Sequence, residues 1–385
     1  MKPEARLLLL CARTTLDHDQ RESCRELCNA GLDWGLVDAL ALRHGLHPLL
    51  HRHLESLEAG TVPREVLASL WARHETRSRR NRDLTRELLD IAALLERESI
   101  RYAPYKGPTL ALAAYGDLAL RQFGDLDLLV RAADAPHAQR VLERIGYRPE
   151  YVLTPDLAQA LFRSTRHYEL PLRDDARGFL VELHWRADPD DDVVPLADDR
   201  WWQDLDRIEI GGGSVPMLRA NDLMLVLCLH GTKHSWVSLG WLVDVAELAK
   251  RTPDLDWEVI ANRAREMGAE RKLGIALALA CELLDAPIPL GAMRAADDPV
   301  VRRVVADIRA GLFDPGFDPP AVGQIVRRNA ELRMGALARL RYLLRALFVP
   351  GLGEWLRWQL PRPLFFLYYP LRLSRLAGKY LRKSA

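Results

Sequence analysis

Two aspartates separated by one residue, Asp125 and Asp127, sit in the run 121–130, where charged and apolar side chains alternate and then give way to hydrocarbon. A strand has a side-chain period of two, so the run is expected to place Asp125, Asp127 and Leu129 on one face and Leu126, Leu128 and Val130 on the other, toward a core. Two carboxylates held side by side repel each other, and the arrangement is costly unless a cation lies between them. The pair therefore reads as a divalent-metal site, and it sets the requirement for the rest of the chain: further acidic groups, and cations to balance a bound anion.

The chain before this run reads as helical over residues 1–96, from apolar residues at three- and four-residue spacing (Leu36, Leu40, Leu46, Leu50, then Leu84, Leu88, Ile91, Leu95), with turns at 31–33 and 60–63. At residue 97 the texture changes. Residues 100–105 form a short strand candidate ending in Lys106-Gly107-Pro108-Thr109, and Pro108 suits the first turn of a helix running to Tyr115. A strand, a glycine and a helix start place backbone N–H groups where a phosphate can bind. A helix is expected over 135–145. Alternation returns at 167–172 and 179–185 around a polar turn, a β-hairpin in which Leu180, Glu182 and His184 share one face. Glu182 is thus an acidic side chain inside an apolar strand, and burial there calls for a cation or a charged partner. An acidic loop at 188–192 precedes a second hairpin, 208–210 with 215–217, and Asn221 is expected to cap the helix that follows.

Histidines are read mainly as packing groups. His47 and His51 share a helical face with no acid next to them in sequence. His230 and His234 have the i, i+4 spacing of a helical zinc site but lack the glutamate after the first histidine that the metalloprotease motif requires. Five scattered cysteines, Cys24 and Cys28 among them, read as reduced, buried or idle thiols of a cytoplasmic protein. The apolar run 7–11 is too short for a signal peptide, and no apolar run approaches the ~20 residues that span a bilayer. From residue 325 onward eleven Arg and two Lys face only Glu331 and Glu354, a net +11 that leaves −10 on the remainder. The tail 350–385 mixes these cations with Trp355, Trp358, Phe365, Phe366, Tyr368 and Tyr369. It is expected to fold back on the protein, since Pro361, Pro363 and Pro370 interrupt any long helix; peripheral contact with an anionic surface, such as the inner face of a membrane, is the other reading.

Lys106-Gly107, Tyr115-Gly116-Asp117, Arg121, the run 125–130, Glu182-Leu183-His184-Trp185, and His230, His234, Trp241 and Asp244 together resemble the nucleotidyltransferase superfamily with its polymerase-β-like palm. The closer resemblance is to the bacterial family of uncharacterised nucleotidyltransferases. It implies an α+β protein: a mixed-sheet core at 97–218 between helical domains at 1–96 and 219–349, with the basic aromatic tail at 350–385. It also implies transfer of a nucleoside monophosphate from a nucleoside triphosphate such as ATP to an acceptor, small molecule or protein, with release of pyrophosphate. Two Mg²⁺ ions would be held by Asp125, Asp127 and Glu182; Gly107 and the backbone through Thr109 would cradle phosphates, with Lys106 and Arg121 neutralising charge. Nucleic acid is the least favoured acceptor, because no basic platform of interleaved aromatics accompanies the site. Two departures are visible: Pro108 follows the glycine where serine or a second glycine is usual, and the third carboxylate is a glutamate. They leave open a protein that keeps the fold to bind or regulate, and the tail leaves open a peripheral membrane protein.

Overall fold

A computed structural model describes residues 1–186, 200–314, 316 and 320–381; the acidic loop 188–192 lies outside them. The chain is a mixed α+β structure built on a five-stranded sheet: β1 (Tyr102–Pro104), β2 (Leu126–Val130), β3 (Arg148–Pro149), β4 (Glu169–Asp174) and β5 (Phe179–His184), in the order β1-β2-β5-β4-β3. The central pair β2–β5 is parallel and the other pairings are antiparallel. A two-stranded ribbon follows, β6 (Asp206–Ile210) with β7 (Gly213–Met217). Its turn is Gly211-Gly212, both at positive φ (59° and 87°), the conformation that a two-residue hairpin loop demands and glycine supplies without strain.

The alternation along β2 is realised as a division between two hydrophobic cores. Leu126, Leu128 and Val130, with Val181 and Leu183 of β5 and Trp185 just after it, face a core shared with Leu84, Leu88, Ile91 and Leu95 and with the helices Ala135–Arg144 and Pro155–Arg163. Leu129, Ala103 and Tyr105 join the other core. There the helices before residue 71 (Leu7, Leu46, Leu49) and those after residue 219 (Leu225, Leu242, Ile275) interleave. The first and third expected segments therefore bury their apolar faces together on one side of the sheet. The helix Arg64–Arg97 runs past both cores, with Leu70 in one and Leu84 to Leu95 in the other.

Local differences from the sequence reading have physical causes. The strand expected at 100–105 pairs only over Tyr102–Pro104, because the chain turns at Lys106. The helix expected through Tyr115 is regular over Gly107–Leu110 and then widens to a π-helical turn at Ala111–Tyr115, a feature common near functional sites. Asn221 is not the cap of its helix. Ala220–Lys233 starts after Arg219, and the Asn221 side chain accepts a hydrogen bond from the Asp256 backbone N–H instead (3.0 Å). The tail folds back as expected over its described length. Trp355 and Tyr368 enter the second core, and buried Glu354 pairs with Arg372 (3.1 Å) and Arg375. Cys24 and Cys28 are buried thiols. His47, His51 and His53 are buried too, and two of them do have acids beside them: Asp38 lies 3.0 Å from His47, and Glu55, one helical turn on, lies 3.7 Å from His51.

Candidate active site

The parallel register of β2 and β5 sets Asp127 opposite Glu182 and Leu129 opposite His184. Neighbouring strands lie about 4.8 Å apart, so the two carboxylates share a face and repel each other. Lys106 and His184 approach them from either side. The Lys106 ammonium lies 2.5 Å from Asp127 Oδ1, and His184 Nε2 lies 3.3 Å from Asp127 Oδ1 and 3.4 Å from Glu182 Oε2. The other ring nitrogen of His184 faces Glu169 Oε2 at 3.4 Å, and the Tyr105 hydroxyl stands 3.3 Å from Nε2. Asp127, Glu182 and His184 each offer an atom within 4.8 Å of the others; among the described residues it is the one such acidic or histidine group that could hold a metal ion.

Titration follows the geometry. Burial alone would make His184 less basic, yet hydrogen bonds to Asp127 and Glu182 raise its pKa above the ordinary value. Burial likewise opposes charge on Lys106, and the Asp127 carboxylate more than offsets it. Asp127 is pushed up by burial and pulled further down by Lys106 and His184, so it stays ionised well below the usual carboxylate range. The hydrogen bond from His184 lowers Glu182. Asp125 is the exception: burial first, then the Asp127 charge, push its pKa up to about 6.

A carboxyl that is harder to ionise in the fold than in the unfolded chain favours folding below its unfolded pKa, and that contribution is lost as pH rises through the folded value. The rise from 3.8 to about 6 corresponds to roughly 3 kcal/mol, and partial exposure reduces it to about 1–2 kcal/mol. Asp125→Asn is therefore expected to gain about 1–2 kcal/mol at pH 8 in the presence of chelator, and to flatten the stability profile between about pH 4 and 6. Urea titrations across this range check it, and no gain at pH 8 would count against the assignment.

The remaining residues singled out in the sequence fall into place unevenly. Gly107 adopts φ +58°, and a Cβ there would stand 3.3 Å from the Asp125 carbonyl oxygen, so the turn passes close under the aspartate strand. Thr109 is fully buried; its hydroxyl lies within hydrogen-bond reach of the carbonyls of Lys106 (2.9 Å) and Pro104 (3.2 Å), and braces the turn from within. Arg121 grips Asp244 with two bonds (2.7 and 2.9 Å), and the Tyr115 hydroxyl donates to the same carboxylate at 2.7 Å. This cluster fastens the segment after the turn to the helix Leu239–Arg251. The rings of His230, His234 and Trp241 pack on one another with centroids 4.6–5.5 Å apart. Burial, reinforced by the nearby Lys106 charge, holds His230 well below the usual imidazole range, so it is neutral.

His184, Glu169, Tyr105 and Lys233 are members of this constellation that sequence reasoning did not single out for the site. Lys233, from the helix Ala220–Lys233, lies 3.2 Å from the Tyr168 hydroxyl and 3.7 Å from Glu169. A signal for His184 was present, since period-two alternation puts it on the face of Glu182; the others are brought in by pairing and by helix docking.

A mixed sheet with in-register acids on neighbouring parallel strands, a glycine turn under the first and a helical wall above defines a nucleotidyltransferase fold. The family model described as an uncharacterised nucleotidyltransferase matches residues 30–285, and the chain belongs to that family. No curated protein and no solved structure matches it.

Proposed function

We propose that the protein transfers a nucleoside monophosphate from a nucleoside triphosphate to an acceptor, a small molecule or a protein, releasing pyrophosphate. The observation that carries this reading is the Asp127–Glu182 pair, held in register and flanked by Lys106 and His184. Asp127, Glu182 and the adjoining Asp125 are hard oxygen donors suited to Mg²⁺, two ions by the resemblance. A bound divalent cation would supply charge stabilisation at the phosphate oxygens. His184 stands between Asp127 and Glu182 and fixes their spacing, with Glu169 3.4 Å from its other ring nitrogen. Lys106 is placed to transfer its charge from Asp127 to a phosphate when a stronger cation competes for the carboxylate. The positive-φ turn at Gly107, close under the Asp125 carbonyl, would offer its backbone N–H groups to a phosphate there. Glu182, the carboxylate on the more exposed side, is positioned to accept the proton of an attacking hydroxyl or amine. Arg121 acts at a distance, through Asp244 and the packing of the turn.

Titration calorimetry with Mg²⁺ and ATP tests the site. The wild type is expected to bind, and Asp125→Ala/Asp127→Ala to lose affinity by about tenfold or more; equal binding by the two proteins would sink the assignment. Incubation with labelled ATP, GTP, CTP and UTP, followed for pyrophosphate and self-labelling, tests turnover. The internal engagement of Thr109 and Arg121 favours a second reading, a fold retained for binding alone. Nucleotide affinity without pyrophosphate release in the presence of candidate acceptors would select it.

A further inference from the structure

The helix Ala336–Phe348 is amphipathic with its apolar side turned outward. Leu337, Leu340, Leu343, Leu344, Leu347 and Phe348 are between 39% and 61% exposed. At 3.6 residues per turn they cover an arc of roughly 140°. Arg341 bounds one edge of that arc and Arg339 the other, both exposed. Tyr342, on the opposite side, is buried and lies under the Arg333 guanidinium (5.3 Å). Another helix of the same region, Pro299–Gly311, does the reverse and buries Val301, Val304, Val305 and Ile308.

The following segment extends the same surface chemistry. Leu356, Leu364, Phe366, Tyr369 and Leu373 are exposed, with Arg357 and Arg362 between them. Buried Arg372 joins the two parts, donating through Nε to the Leu347 carbonyl (2.9 Å) while paired with Glu354. Soluble surfaces rarely leave this much contiguous leucine and phenylalanine uncovered.

Charge identifies the occupant. Between residues 335 and 373 the chain carries six arginines and one acid, Glu354, and that acid is fully buried. The outward side of this segment therefore offers hydrocarbon and cations without a carboxylate. A second copy would set arginine against arginine with no acid from this segment to relieve them. Nucleic acid would meet the cations but leave the leucine stripe in water. An anionic bilayer satisfies both halves, with acyl chains for the leucines and lipid phosphates for the arginines.

We infer that the face formed by Ala336–Phe348 and the segment to Leu373 is a peripheral membrane-docking surface for anionic lipid. It lies outside the stretch that matches the family model, residues 30–285, and does not depend on the transfer chemistry proposed above. Among the described residues no helix is long and apolar enough to cross a membrane, so the contact is one of lying on the surface.

Flotation of the full chain tests this, with vesicles of phosphatidylcholine alone and with vesicles of equal parts phosphatidylcholine and phosphatidylglycerol. The wild type is expected to float with the mixed vesicles and stay behind with the neutral ones. Leu340→Glu/Leu344→Glu and, separately, Arg341→Glu/Arg362→Glu are expected to lose about tenfold or more in binding with an unchanged melting temperature, since these side chains are exposed. If the leucine variant fails to fold, the arginine variant decides. The inference is overturned by a folded wild type that ignores the mixed vesicles, by equal flotation with both compositions, or by variants that float undiminished. It is also overturned if light scattering shows a dimer that the leucine variant separates.

Discussion

Asp127→Asn is expected to reduce the proposed nucleotidyl transfer by about 10³-fold, a loss of roughly 4 kcal/mol of transition-state stabilisation. The side chain is nearly inaccessible, touches Lys106 and His184, and faces Glu182 in register across the parallel strands. An amide of the same size leaves the volume unchanged and removes the charge that faces Lys106 and His184. Lys106 and His184 would then rely on Glu182, Glu169 and Asp125, and their raised pKa values would fall. The measurement is pyrophosphate release at saturating triphosphate, with thermal melting alongside. A variant that turns over within tenfold of wild type would place the chemistry elsewhere. One that loses activity only by unfolding would leave Asp127 a structural role, and comparison with Asp125→Asn, expected to be folded and inactive, separates the two cases.

The second large effect is structural. Asp244→Ala is expected to cost about 3–5 kcal/mol in unfolding free energy, because it abandons an ionised guanidinium and a phenol in the interior. Arg121 and Asp244 are both nearly buried, bonded at two points, with the Tyr115 hydroxyl on the same carboxylate. Burial would make Arg121 easier to deprotonate, but Asp244 raises its pKa, so it remains charged. Urea unfolding of Asp244→Ala, Arg121→Met and the double variant Arg121→Met/Asp244→Leu measures the coupling. The double variant is expected to recover much of the loss, since removing both charges is far less costly than stranding one. A loss below about 1 kcal/mol for the single variant would mean that water reaches the guanidinium.

Side-chain periodicity carried much of this structure in legible form. The strand at 126–130, its two-faced pattern and the hairpin bearing Glu182 follow from alternation, and Glu182 could be named because an acid in an apolar strand is out of place. Pairing is what a single sequence does not disclose. Nothing in residues 169–184 says that β5 runs parallel to β2, so the bridging position of His184 emerges only with the register. Arg121 offered the same difficulty: its charge was visible, but the acid that holds it lies more than a hundred residues away, on the helix Leu239–Arg251. Thr109 looked available beside a glycine, yet two carbonyls within 3.2 Å engage its hydroxyl. The helix Ala336–Phe348 shows a further gap, because a periodic pattern establishes that an apolar face exists and not which way it points.

The parallel pairing of β2 with β5 also bears on how the acidic site arises during folding. The β4–β5 hairpin closes over a short turn and brings Glu169, Glu182 and His184 together using local chain alone. Asp127 joins them only when β2, more than fifty residues upstream, finds its register. Closing a loop of that length costs roughly 3–4 kcal/mol of chain entropy before any contact returns it. The acidic pair is thus assembled by the least local step in the sheet, and recovery of the proposed nucleotide binding after dilution from urea should report the completed sheet rather than the collapsed chain.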